Sequence, residues 1–281
     1  MMIDLEKSRE LQRFALQIRK ETIRTIGNLG VGHVGGALSI CDVLAVLYGG
    51  IMHVDPKQPK MPERDWLVVS KGHAGPAVYA TLALRGFFPM EQLMTLNKPG
   101  TNLPSHCDMN RTPGIDMTTG SLGQGASSAM GIACGNRVKG LNNYTYLIVG
   151  DGESEEGQVW EAIMFAGHRK LSHMIAFVDY NKAQIDGTVD EICHLGDIAA
   201  KYEQFGWYAQ SVNGHDVGEI WKAIENAKAQ DEKPSVIVLN TVKGHGVSFT
   251  EGQISSHNMN LTKEQTEAAL AELDAALEKL G

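Results

Sequence analysis

Gly150-Asp151-Gly152-Glu153-Ser154-Glu155-Glu156-Gly157 lies between two runs of different pattern. Before it, Tyr144-Thr145-Tyr146-Leu147-Ile148-Val149 is apolar, β-rich and too short for a helix, which reads as a buried strand. After it, Val159, Trp160, Ile163, Met164, Ala166 and Gly167 fall at helical spacing, and Met174-Ile175-Ala176-Phe177-Val178 reads as a second buried strand. The unit is β-α-β, with Asp151 ending the first strand and Asn181 following the second. In open parallel sheets that edge is where ligands bind.

A divalent cation holding a diphosphate suits this pair. Asp151 offers a hard anionic oxygen and Asn181 a neutral one, and the Ala183 carbonyl supplies a third, leaving octahedral positions for phosphate oxygens and water. Gly150 and Gly152 let backbone approach phosphate without a Cβ in the way. Without a metal, Asp151, Glu153, Glu155 and Glu156 would repel the anion.

The run GDGESEEGQVWEAIMFAGHRKLSHMIAFVDYNKAQIDG resembles the thiamine diphosphate signature in its transketolase version. That resemblance implies Asp151, Asn181 and the Ala183 carbonyl as ligands of Mg²⁺ (or Ca²⁺ or Mn²⁺ in its place). It also puts Gly150, Gly152 and Glu153 along the cofactor diphosphate, with Glu156 in a glutamate network between subunits.

Working outward, helical spacing runs from Leu5 to about Ile26 and is expected to break at Gly27. The glycine-rich stretch Gly27–Ala37 carries His33 at its centre, and Ser39 is the expected N-cap of the next helix. Asp65–Val69 reads as a strand feeding the loop Ser70-Lys71-Gly72-His73-Ala74, with Pro76 in the first turn of a helix that Gly86 ends. The loop Thr118–Gly125 precedes a small-residue helix, Ala126 to Arg137.

Beyond Asn181 come a helix from Asp197 to Phe205, a strand from Trp207 to Val212, a helix capped by Asp216 and a strand from Ser235 to Leu239. Alternation of this kind predicts an α/β fold, a doubly wound parallel sheet with helices on both faces. Residues 1–281 read as a single domain, with a helical extension over about 261–281 that has no obvious partner in the chain.

The loops GHVGG, SKGHA and TTGSLGQG also resemble transketolase loops. They imply the thiamine diphosphate-binding fold, with Gly120, Ser121 and Leu122 against the aminopyrimidine and His73 at the diphosphate or the substrate. His33, His73, His106 and His257 would hold substrate hydroxyls and move protons, and His257, rather than His245, would also contact the diphosphate. Cys107 stands where the family's histidine loop has proline.

The resemblance covers only the diphosphate-binding half of a transketolase. It implies ketol transfer from a ketose phosphate to an aldose phosphate, together with a separate C-terminal subunit carrying the pyrimidine-binding and C-terminal domains, as an α2β2 assembly. The alternatives are a subunit of a 1-deoxyxylulose-5-phosphate synthase-like or 2-oxoacid dehydrogenase-like enzyme, or a non-catalytic scaffold.

Composition agrees with an enzyme subunit. With 25 Lys plus Arg against 33 Asp plus Glu, the net charge of −8 gives no support for a nucleic-acid or anionic-membrane surface. Four cysteines without a CxxC pair suggest reduced thiols, and a charged N-terminus without an apolar core leads to an expected cytoplasmic location.

Overall fold

The computed structural model describes residues 3–281. An antiparallel ribbon pairs β1 (Val31–Gly32) with β7 (Met259–Asn260). The main sheet is parallel, made of β2 (Trp66–Val69), β3 (Thr145–Gly150), β4 (Met174–Tyr180), β5 (Tyr208–Asn213) and β6 (Ser235–Asn240), in the order β2-β3-β4-β6-β5. Continuous apolar strands suit a sheet covered on both faces. Tyr146, Ile148, Ile175 and Phe177 face one apolar layer, and Leu147, Val149, Ala176 and Val178 face the other.

The first layer is closed by α1 (Leu5–Leu29), α2 (Gly35–Leu38), α3 (Cys41–Val46), α4 (Gly75–Leu84), α9 (Val217–Ala229) and α10 (Lys263–Leu280). The second is closed by α5 (Gln124–Val138), α6 (Gly157–His168) and α8 (Ile198–Gln204), with the short α7 (Val189–Ile192) beside them. The expected doubly wound α/β sheet is therefore present. Asp216 caps α9 as expected, and Asp197, read as the start of a helix, caps α8.

Three local expectations are corrected. α1 does not break at Gly27 but continues to Leu29, with Gly30 (φ 88°) as its left-handed cap. Gly27 instead lets α10 approach, because a Cβ there would overlap the Thr266 side chain. Thus α10 does have a partner in the chain: it buries Ala269 and Leu273 along α1, and Lys20 pairs with Asp274. Ser39 is not an N-cap. It closes α2, and its hydroxyl donates to Asp179 (2.7 Å), so the need of a buried carboxylate prevails over local capping.

The register brings three strand ends level. Gly150 is opposite Asp179, and Tyr180 is opposite Asn240, so Asp151, Asn181 and Thr241 leave the sheet side by side. After β4 the chain turns towards the α8 layer, whereas after β6 it runs to α10 in the other layer. A crevice between the loops that follow is the consequence.

Gly167 on α6 packs against the turn before β5, where a Cβ would overlap the Phe205 carbonyl oxygen. Gly167→Ala is expected to destabilise the chain by about 3 kcal/mol, despite alanine's better helix propensity. Urea unfolding of the two proteins measures this directly.

Candidate active site

The crevice is a cleft of about 340 Å³ lined by His33, Gly36, Lys71, His73, His106, Gly120, Leu122, Gly150, Asp151, Gly152, Glu153, Asn181, Ala183, Gln184, Ile185, Asp186, Lys243 and His257. Of the residues expected from the sequence to hold cofactor, metal or substrate, Ser121 alone does not line it. It sits exposed between Gly120 and Leu122.

The floor is organised by Asp179, at the end of β4 and fully buried. It accepts from Lys71 Nζ (2.6 Å), Ser39 Oγ (2.7 Å), Asn181 Nδ2 (2.9 Å) and the Thr241 hydroxyl. Burial alone would raise its pKa. The Lys71 ammonium and the hydroxyl donors prevail, and its carboxyl is held below the usual range. A carboxylate accepts but cannot donate, so Asn181 must turn its NH₂ towards Asp179. Its amide oxygen then faces the other way, where it accepts from Ala183 N (3.2 Å).

Asp151 accepts from the Gly152 and Lys182 amides (2.8 and 2.6 Å). Burial first, and then the Asp179 charge, push its pKa up to about 7. A cation alongside would relieve such a carboxylate. Lys243, pushed down to about 8 by burial, reaches across the crevice and donates to the carbonyls of Ala183 (2.9 Å) and Gln184 (3.0 Å). With Lys243 turned from the lip to an anion, the Ala183 carbonyl, the destabilised carboxylate and the aligned amide oxygen make a donor set that fits a hard divalent ion.

Glu153 supports this edge from inside. It accepts from Ser70 Oγ and from the amides of Gly123 (2.9 Å) and Gly150 (3.1 Å), and thereby ties three loops together. Its role is therefore read as bracing the turn, with its pKa raised by burial.

Four imidazoles form the mouth. The His33 ring centroid lies 5.2 Å from His73, 5.7 Å from His106 and 5.4 Å from His257, and His73 lies 5.1 Å from His257. Two glycines permit this crowding: a Cβ on Gly36 would sit 3.1 Å from His73 Nε2, and one on Gly120 (φ 153°) would sit 3.3 Å from His106 Cδ2. Burial lowers all four pKa values, and Lys243, His33 and Lys71 help to push His257 down to about 4. The rings are thus neutral near pH 7, each able to donate at one nitrogen and accept at the other. His245 points elsewhere, stacked on His215 at 3.7 Å.

The sign of the resulting pH effect follows from linkage. A folded-state pKa lowered from 6.5 means the unfolded chain binds more protons between pH 6.5 and 4, so stability falls as pH falls through that window. The thermal midpoint should drop between pH 6.5 and 4, and His257→Asn should flatten the drop. An equally steep drop in the variant would sink this assignment.

Sequence reasoning missed Lys71, Asp179, Thr241 and Lys243. Lys71 and Lys243 sit in the runs SKGHA and TVKGHG, each two residues before a histidine, His73 and His245. Gly244 (φ 74°), where a Cβ would overlap the Thr250 carbonyl, fixes the loop next to Lys243, and in the sequence it shows only as a glycine.

The fold and cleft define the class: an α/β domain with a diphosphate-type edge and a histidine-lined mouth. Residues 11–276 match the family described as "Transketolase, thiamine diphosphate binding domain". The chain is 60% identical over 269 residues to the 6-deoxy-6-sulfo-D-fructose transketolase subunit SqwG of Clostridium sp. (strain MSTE9), covering 96% of this chain and 98% of that one. It is 37% identical to an apulose-4-phosphate transketolase subunit of Phocaeicola vulgatus, covering 93% of each.

Among solved structures, Pichia stipitis transketolase in complex with sedoheptulose 7-phosphate superposes with a TM-score of 0.88 at 30% identity. That match covers 97% of this chain but 44% of the other, so the chain spans less than half of the solved transketolases it resembles. The chain belongs to the transketolase family, as the subunit type that carries the thiamine diphosphate-binding domain.

Proposed function

We propose that this chain, joined to a separate C-terminal transketolase subunit in an α2β2 assembly, transfers a two-carbon ketol unit from a ketose to an aldose phosphate. The observation that carries the reading is the meeting, in one cleft, of the Asp151–Asn181–Ala183 oxygen set with four neutral imidazoles. Asp151, Asn181 and the Ala183 carbonyl would hold Mg²⁺, and Lys243, Gly150, Gly152 and His257 would lie along the diphosphate. When bound, thiamine diphosphate supplies the carbanion and the electron sink that carbon–carbon cleavage needs. His33, His73 and His106 orient the ketose hydroxyls and move their protons, which neutral rings do near pH 7. Gly120 and Leu122 would back the aminopyrimidine, with Ser121 at the rim of the same loop.

The donor is proposed to be a ketose with an anionic group at its far end. The strong likeness to a 6-deoxy-6-sulfo-D-fructose transketolase subunit favours a sulfonate there over a phosphate. We place the protein in the cytoplasm, where sugar phosphates are at hand. Among the described residues no helix is long and apolar enough to cross a membrane.

The test is a copurified complex assayed with 6-deoxy-6-sulfofructose, xylulose 5-phosphate and pyruvate as separate donors. Turnover of either ketose supports ketol transfer, and their ratio fixes the anion. Turnover of pyruvate alone would replace the reading with a 1-deoxyxylulose-5-phosphate synthase-like or 2-oxoacid dehydrogenase-like one. A complex inert towards every donor would favour a scaffold.

A further inference from the structure

Behind the Lys243 lip lies a buried polar unit that does not line the cleft. Arg19 of α1 clasps Asp42 of α3 with both terminal nitrogens, Nη1 to Oδ1 at 3.1 Å and Nη2 on Oδ2, and both residues are buried. His215, in the turn between β5 and α9, spans from this pair to the crevice loop. Its Nδ1 is 2.8 Å from Asp42 Oδ2, and its Nε2 accepts from the Val242 amide at 2.8 Å. An amide N–H can only donate, so Nε2 carries no proton. The proton is on Nδ1 and is donated to Asp42.

The same unit holds the other end of the loop. Arg19 Nε donates to the His245 carbonyl (3.2 Å), the His245 ring stacks on His215, and its Nδ1 lies 3.1 Å from Glu251 Oε1. Lys243 sits between these two anchors, and its own carbonyl accepts from Gly252 N (2.7 Å). Asp42, His215 and His245 do offer ligand atoms within 4.8 Å of one another, at a spacing a metal would accept. The Arg19 guanidinium already meets the charge of both Asp42 oxygens, so the unit is a clamp and not a metal centre.

We propose that His215, oriented by Asp42, is a positioning residue that fixes the 242–245 loop and through it the reach of Lys243 across the crevice. The inference rests on the reading that the cleft takes thiamine diphosphate. It goes beyond that reading by placing control of the grip on a side chain that touches neither cofactor nor substrate.

The test uses the full chain with Mg²⁺ and titrates thiamine diphosphate by calorimetry against His215→Phe, His215→Gln, Lys243→Ala and the double variant H215F/K243A. Phenylalanine keeps a ring without polar atoms, and glutamine restores one donor and one acceptor. Loss of the Val242 and Asp42 hydrogen bonds should weaken affinity about tenfold in His215→Phe. Glutamine should recover most of it. In the Lys243→Ala background the same change should cost less than about twofold, since coupled residues are non-additive. Wild-type affinity in His215→Phe, or an equal loss with and without Lys243, overturns the proposal.

Hydrogen exchange of the Lys243 and Gly244 amides reads the loop without any ligand. It should quicken in the phenylalanine variant and return in the glutamine one, and unchanged exchange overturns the positioning role. If the wild-type chain binds no thiamine diphosphate even with its C-terminal partner added, the cofactor reading falls instead, and exchange would still judge His215.

Discussion

Asp151→Ala should lose retention of thiamine diphosphate and Mg²⁺, with affinity lowered on the order of a thousandfold. The magnitude follows from charge. Removing the carboxylate leaves the ion with neutral oxygens from Asn181 and Ala183, and one unit pair a few ångströms apart near a protein surface is worth about 4 kcal/mol. Asp151→Asn sharpens the argument, because it keeps the shape and removes the charge. The ordinary Asp value is below the folded value of about 7, so the ligand-free chain loses stability as pH rises from about 4 through 7. At pH 8 the ligand-free asparagine variant should therefore be more stable than wild type, by up to a few kcal/mol. It should nonetheless fail to bind the cofactor. Thermal melts with and without thiamine diphosphate and Mg²⁺ would show the two orders crossing, and parallel melts would refute the ligand assignment.

A second large effect is expected from isolating the chain. Alone it should bind cofactor yet show no ketol transfer, with activity rising by at least about 10⁴-fold on adding the C-terminal subunit, within the span that assembled catalytic sites provide. Two apolar residues that line the cleft are left to solvent, Leu122 at 38% and Ile185 at 66% exposure. The groups within the cleft are suited to gripping a diphosphate and hydroxyls, and none is placed by the sequence reading as the acid that activates the cofactor ring. Steady-state assays of the two subunits, first separate and then mixed, decide the matter. Full turnover by the chain alone would refute the two-component reading.

Much of this site was legible because parallel sheets concentrate ligands at one edge, and strand ends can be located from apolar runs. Asp151, Asn181 and the loop of His73 followed from that rule, the His33 loop from its dense glycines and the transketolase resemblance, and the four histidines do meet. What was not legible depended on register and long-range pairing. Asp179 reads as one more strand residue until the sheet is assembled, and only then does it become the acceptor that orients Asn181 and Lys71. Lys243 acts 60 positions from the Ala183 carbonyl it reaches. The misplaced roles of Gly27 and Ser39 have the same origin: each obeys a distant partner, Thr266 in one case and Asp179 in the other.

The two lips of the crevice are rooted in opposite layers of the fold, which has a consequence for inherited damage. A variant that loosens either layer also loosens the grip on the ligand, so binding the ligand tightens both. Cofactor at a hundredfold excess over its Kd adds about 2.7 kcal/mol to the folded state. That is close to the whole cost expected for Gly167→Ala, on the layer that holds α6. The folded fraction of such a variant should rise with the concentration of thiamine diphosphate.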